Sequence, residues 1–173
     1  MKSIYRIALV GAIAATAGFA QNTATQTSDQ DFVTLAAQTD MTEAHIGQLA
    51  AERAQSQAVK DYAQMLVTDH TNDYNQLSTI AGKAGLQVPK GIDAAHEKMI
   101  APFEKLKGTA FDRKFAHDMV QGHETAIAAY DKESRDGQNA DLKAYAKQAL
   151  PTLEKHKNAA QELGKPAKKQ SRP

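Results

Sequence analysis

From Asp31 onward, apolar residues recur at helical spacing. No stretch alternates apolar and polar residues with the two-residue period of a strand. The first stripe, Phe32, Leu35, Ala36, Ile46, Leu49 and Ala50, predicts a helix from about Ser28 to Arg53. Val59, Ala63, Leu66, Leu77 and Ile80 predict a second, capped by Ser56 and running to about Lys83. A serine at that position can accept from the free N–H groups of the first turn. Gly82, Gly85 and Pro89 end it. A shorter helix, about Ile92 to Lys107, contains Pro102 and stops at Gly108. Phe111, Phe115, Met119, Ile127 and Tyr130 predict a third long helix, about Thr109 to Arg135, closed by a turn at Asp136 to Asn139. Leu142, Ala146, Ala149, Leu153, Ala160 and Leu163 predict the fourth, about Ala140 to Leu163, with Pro151 expected to kink it or cost a hydrogen bond. The expected fold class is all-α: four long helices in a bundle, plus a long connector containing a short extra helix.

The ends of the chain read differently. Lys2 and Arg6 precede an apolar, small-residue run from Ile7 to Ala20. That is the pattern of a secretory signal, so residues 1–20 are expected to direct export to the periplasm, with association at the outer membrane also open. The run falls short of the ~20 apolar residues of a membrane span. Polar, Thr/Gln-rich residues 21–30 read as a flexible leader, 31–164 as the bundle domain, and 165–173 as a basic, disordered tail.

Composition narrows the chemistry. There is no cysteine, so neither a disulfide nor a Cys-x-x-Cys-His haem attachment is available. Charge is nearly balanced, 21 Lys+Arg against 20 Asp+Glu, and no helix carries a basic stripe, which argues against nucleic acid as a partner. No serine stands in a nucleophile-elbow pattern. The methionines are too scattered for a copper box and read as core filling. Oligomeric state is left open.

What remains is a set of ionisable residues lying on apolar stripes. Glu43 falls between Ala36, Thr39, Ile46 and Ala50. His70 lies in line with Ala63, Leu66, Asp73 and Leu77. His123 follows Phe115 and Met119, and His156 falls between Leu153 and Ala160. Their levels agree. Glu43 stands 12 residues before Gln55 and His70 15 after it; His123 stands 14 before Gly137 and His156 19 after it. At ~1.5 Å per residue each pair differs in height by about one turn. A connector of about 24 residues can run the length of the bundle, making the second and third long helices parallel. Neutral imidazole and carboxylate are ligands for Zn, Fe or Cu. Glu43, His70, His123 and His156 are therefore the candidate metal ligands, with Asp69 and Asp73 on the second helix as supports for an imidazole or an extra ligand. The alternative is a metal-free network of buried polar groups in a structural or interaction module of the cell envelope, with Arg53 or Lys60 supplying charge to Glu43. A metal-dependent redox enzyme would need an open coordination position, which a sequence does not display. His45, His96 and His117 read as flank or connector residues.

Two segments echo each other: Tyr62-Ala-Gln-Met-Leu-Val-Thr-Asp-His70 and Phe115-Ala-His-Asp-Met-Val-Gln-Gly-His123, offset by 53 residues. Together with Val59-Lys-Asp-Tyr-Ala63, Phe111-Asp112 and Leu150-Pro151…Leu153…His156, they resemble a bacterial family defined by a domain of unknown function. Its members are exported proteins, often labelled outer membrane proteins. The resemblance covers about Asp31 to Leu163 and implies export and a ferritin-like four-helix fold. Di-iron proteins of that fold carry a Glu-x-x-His on each of two helices. No glutamate here has a histidine three residues later, so a single metal fits better than a di-iron pair.

Overall fold

The computed structural model describes residues 17–165, with side chains from Ser28. The expected signal segment up to residue 16 and the basic tail from residue 166 lie outside the described residues. The described residues are all-helical, with five helices: α1 (Ala17–Arg53), α2 (Gln57–Lys83), α3 (Ala94–Lys105), α4 (Gly108–Asp136) and α5 (Ala140–Leu163). Among the described residues no helix is long and apolar enough to cross a membrane.

Residues 21–30, expected as a flexible leader, belong to α1 instead. Tertiary hydrogen bonds hold the last of them. The Asp29 carboxylate accepts from the backbone N–H groups of Gln138 and Asn139 at 2.9 and 2.8 Å. The Gln30 amide pairs with both backbone groups of Gln87. Such bonds override the weak helix propensity of a Thr/Gln-rich stretch.

The helix ends show which local signals were real. Ser56 is the N-cap of α2, but its hydroxyl makes no capping bond. The Asp112 carboxylate accepts from the Gln55 and Ser56 N–H groups just ahead of the helix, at 3.0 and 2.9 Å. Asp93 caps α3 and Asn139 caps α5, each accepting from two backbone N–H groups. Gly85, at φ +73°, ends α2 in a left-handed turn, with Leu86 N–H donating back to the Ala81 carbonyl at 2.9 Å. Pro151 lies inside a continuous α5 with its side chain exposed. Its missing N–H leaves the Lys147 carbonyl without an intrahelical partner.

Cross-helix contacts fix the directions. Asp29 meets Gln138, while Gln55 meets Asp112, so α1 and α4 are antiparallel. Tyr62 reaches the His156 carbonyl, while Asp73 meets Tyr145, so α2 and α5 are antiparallel. With α1 and α2 joined by a short turn, α2 and α4 run the same way. The segment holding α3 makes the long return that this requires. It crosses α1, whose Gln38 side chain bonds Gly91 and Asp93.

The core is in two parts. One gathers Phe32, Leu77, Tyr130, Leu142 and Leu153 near the α4–α5 turn. The other gathers Ile46, Leu66, Phe103, Phe111, Phe115 and Met119 near the α1–α2 turn. Met119 is the core filler the pattern implied, whereas Met99 is 55% exposed on α3. On each long helix the residues between the two parts are polar: Asp40 and Glu43, His70, His123, and His156.

Candidate metal centre

The helical period brings all four predicted ligands to the same buried layer. Glu43 and His70 are 4% and 3% exposed, His123 is fully enclosed, and His156 is 1% exposed. Ions or imidazoles so far from water demand partners. Arg53, a candidate to balance Glu43, instead donates to the Glu104 carbonyl. The neighbours of Glu43 are imidazoles. Its Oε2 lies 3.0 Å from His70 Nε2 and 3.4 Å from His123 Nε2, and His156 Nδ1 lies 3.2 Å from His123 Nε2. One ring nitrogen from each of His70, His123 and His156 lies within 4.8 Å of the other two, so the three could together hold a metal ion.

The outward-facing nitrogens are all engaged. His70 Nδ1 meets Asp40 Oδ1 at 2.8 Å, His123 Nδ1 donates to the Met119 carbonyl at 2.8 Å, and His156 Nε2 meets Asp69 Oδ2 at 2.9 Å. A carbonyl only accepts, so the His123 proton sits on Nδ1 and its Nε2 presents a lone pair. A proton on His156 Nε2, facing the Asp69 carboxylate, likewise leaves a lone pair on Nδ1. Two lone pairs then face each other at 3.2 Å. The inner set is short of positive charge, in the arrangement by which carboxylates and carbonyls orient imidazoles toward a metal.

Electrostatics agree. Burial depresses the basicity of His123, against the attraction of Glu43. Burial also takes His156 down to about 4, against the pull of Asp69. Both are neutral imidazoles, the ligating form. Burial works against the His70 cation too, but the Glu43 charge and the Asp40 hydrogen bond outweigh it and push His70 up to about 10. Burial raises Asp40 to about 7, with His70 opposing. Burial works against the Glu43 charge, but the imidazoles of His123 and His70 beside it hold its carboxyl below the usual range. Even so, His70 Nε2 and Glu43 Oε2, 3.0 Å apart, are not aligned as a hydrogen bond, and both remain buried without a hydrogen-bond partner.

The family model described as domain of unknown function DUF4142 matches residues 14–163. The chain belongs to this family. It matches no curated protein and no solved structure.

In this DUF4142 chain the supporting residues differ from expectation in two respects. Asp69 Oδ2 meets His156 Nε2 at 2.9 Å. Asp73 makes no hydrogen bond or ion pair with the three imidazoles; its Oδ2 accepts from the hydroxyls of Tyr145 and Tyr130 at 2.7 and 3.2 Å. Asp40 fills the place that Asp73 does not, holding the outer nitrogen of His70. Sequence reasoning passed over it, although it stands three residues before Glu43 on the same helical face. Gly122 was also missed. A Cβ there would meet Glu43 Oε1 at 2.9 Å, so a side chain beside His123 would crowd the carboxylate. His96 pairs with Asp93 and His117 with Asp118, both away from the layer.

Proposed function

We propose that this protein is an exported, periplasmic bundle of the ferritin-like kind that binds one transition-metal ion, Zn, Fe or Cu, through Glu43, His70, His123 and His156. The spacing of the inner donors carries this reading. Donor atoms ~2.0–2.2 Å from a tetrahedral ion stand about 3.3–3.6 Å apart. Three of the contacts among these four donors measure 3.0, 3.2 and 3.4 Å. His70 Nε2 and Glu43 Oε2, buried without a hydrogen-bond partner, would be satisfied by a cation that displaces the His70 proton. Parallel α2 and α4 joined by a long return support the ferritin-like assignment. Export rests on Lys2, Arg6 and the apolar run that follows.

Elemental analysis of untagged protein, purified without chelator, tests the site. The expected result is about one equivalent of metal per chain, lost in His70→Ala/His123→Ala. If wild type holds no metal after supplementation, and its melting temperature is indifferent to Zn²⁺, Fe²⁺ and Cu²⁺, the layer is a metal-free polar network and the proposal fails.

A further inference from the structure

A buried ligand set requires a way in. Among the described residues, two clefts reach the polar layer. One, of about 310 Å³, opens between α2 and α5; Asp69, His70, Asp73, Tyr145 and His156 help to line it. The other, about 340 Å³, opens beside α1 and the connector; Asp40, His45 and His70 help to line it. Only the first exposes two of the three clustered imidazoles. On the second side, His70 presents its neighbour Asp40, which already bonds its outer nitrogen. His123 lies on neither wall.

The α2–α5 cleft also has a fixed carboxylate in its wall. Both hydroxyls that bind Asp73, from Tyr130 and Tyr145, converge on Oδ2. Among the described residues, no hydrogen bond is made to Oδ1. Asp69 lies one helical turn away on the same helix, its Oδ2 on His156. A carboxylate anchored through one oxygen and open at the other suits the transient capture of a cation. The acidic pair gains its meaning from what lies behind it: His70 Nε2, buried and without a hydrogen-bond partner.

We propose that a divalent transition-metal cation enters through the α2–α5 cleft, held in passing by Asp73 before transfer to His70 and His156. This rests on the metal-binding reading above and adds a route and a positioning residue. Asp73 acts on the rate of arrival and not on the final complex. Negative charge in a cleft raises association rates of cations by ~10-fold or more, an effect that salt weakens.

The test is stopped-flow uptake of Zn²⁺ from a chromophoric chelator by metal-free, full-length protein, alongside equilibrium titration. Asp73→Asn preserves an acceptor for the tyrosines while removing the charge. It should slow association about 3- to 10-fold, slow dissociation to match, and leave Kd within about twofold, with a weaker salt dependence of the on-rate. Gln148→Trp, at an exposed position in the same cleft, should also slow uptake. Gln48→Trp, at an exposed position in the opposite cleft, should not. The route is overturned if Asp73→Asn and Gln148→Trp load at the wild-type rate, or if Gln48→Trp alone slows loading. A weaker Kd from a faster off-rate in Asp73→Asn would make Asp73 a ligand and also overturn it. Wild type that never takes up Zn²⁺, Fe²⁺ or Cu²⁺ would remove the metal site itself. Normal affinity with an unaltered rate would remove only the route.

Discussion

Gly122→Ala separates helix stability from the integrity of the polar layer, because the two respond in opposite directions. Alanine in a helix interior is favoured over glycine by about 1 kcal/mol. Its new methyl, however, would stand 2.9 Å from Glu43 Oε1, where ordinary contact begins at 3.4 Å. The carboxylate must retreat by about 0.5 Å, and it is buried within a ring of imidazoles. Retreat carries Oε2 away from its places at 3.0 Å from His70 and 3.4 Å from His123. Without metal the gain and the strain roughly cancel, so the melting temperature should change little or rise. With metal, loss of ligand geometry should lower affinity about 10- to 100-fold, the range seen when the orientation of a ligand is disturbed.

Differential scanning calorimetry at fixed free metal converts this to a temperature. At 100 times the wild-type Kd, binding stabilises the fold by about 2.7 kcal/mol. A 30-fold weaker site at the same concentration retains about 0.9 kcal/mol. For a domain of this size, 1 kcal/mol shifts the midpoint by about 2–4 °C. The metal-induced shift should therefore fall from about 5–11 °C in wild type to about 2–4 °C in the variant. An undiminished shift would refute the claim that Gly122 makes room for Glu43.

Other substitutions test the frame around the site by chemical denaturation. Glu133 is buried, and burial first, then the Asp29 charge, raises its carboxyl from 4.5 to about 7, against Lys132 and Lys143. Below pH 4.5 both folded and unfolded states hold the proton; between 4.5 and 7 only the unfolded state releases it, so stability falls as pH rises, by up to about 3 kcal/mol. Glu133→Gln should gain at least about 1 kcal/mol over wild type at pH 8 relative to pH 4, and a pH-independent difference would contradict this. Gly47→Ala places a Cβ 2.9 Å from Val67 Cγ2 and 3.0 Å from the Ala63 carbonyl oxygen. A backbone oxygen cannot step aside, so the crowding should outweigh the gain in helix propensity, for a net loss of about 1–2 kcal/mol; equal or greater stability would show that α1 and α2 can separate. Asp112→Ala removes the acceptor of the Gln55 and Ser56 N–H groups and should cost about 1–2 kcal/mol. Ser56→Ala, whose hydroxyl makes no capping bond, should cost under about 0.5 kcal/mol, and a reversed order would return the capping role to serine.

These contrasts show which parts of the molecule a single sequence displays. Apolar spacing gives the helix faces and, with turn positions, the height of each polar residue; that was enough to bring Glu43, His70, His123 and His156 to one layer. Spacing is silent on what lies across the interface. Ser56 carries the local mark of a cap, yet its hydroxyl makes no capping bond and Asp112 of another helix holds the Gln55 and Ser56 N–H groups ahead of the helix. Asp29 sits in a stretch with no apolar period, yet closes the turn before α5 across more than a hundred residues of chain. Asp73 and Asp40 make the same point within the site. Asp73 lies on the buried face of α2, three residues after His70, and from one helix alone it is the natural support for that imidazole. The partner is instead Asp40 on α1, while two tyrosines from α4 and α5 claim Asp73.

The distinction matters chemically, because a hydrogen bond to one imidazole nitrogen fixes the tautomer and orients the other nitrogen toward a metal. The face of a helix determines that a histidine points inward. Which nitrogen is left bare depends on Asp40, the Met119 carbonyl and Asp69. For His70 and His156 that holder comes from a different helix, and only for His123 does its own helix supply it. Of the three contacts, only that of His123 lies within one helix, to the carbonyl four residues back. The other two follow from the packing of α1 against α2 and of α2 against α5. Which residues share the buried layer is thus written along each helix, whereas the hydrogen bonds that orient them are a property of the packed helices.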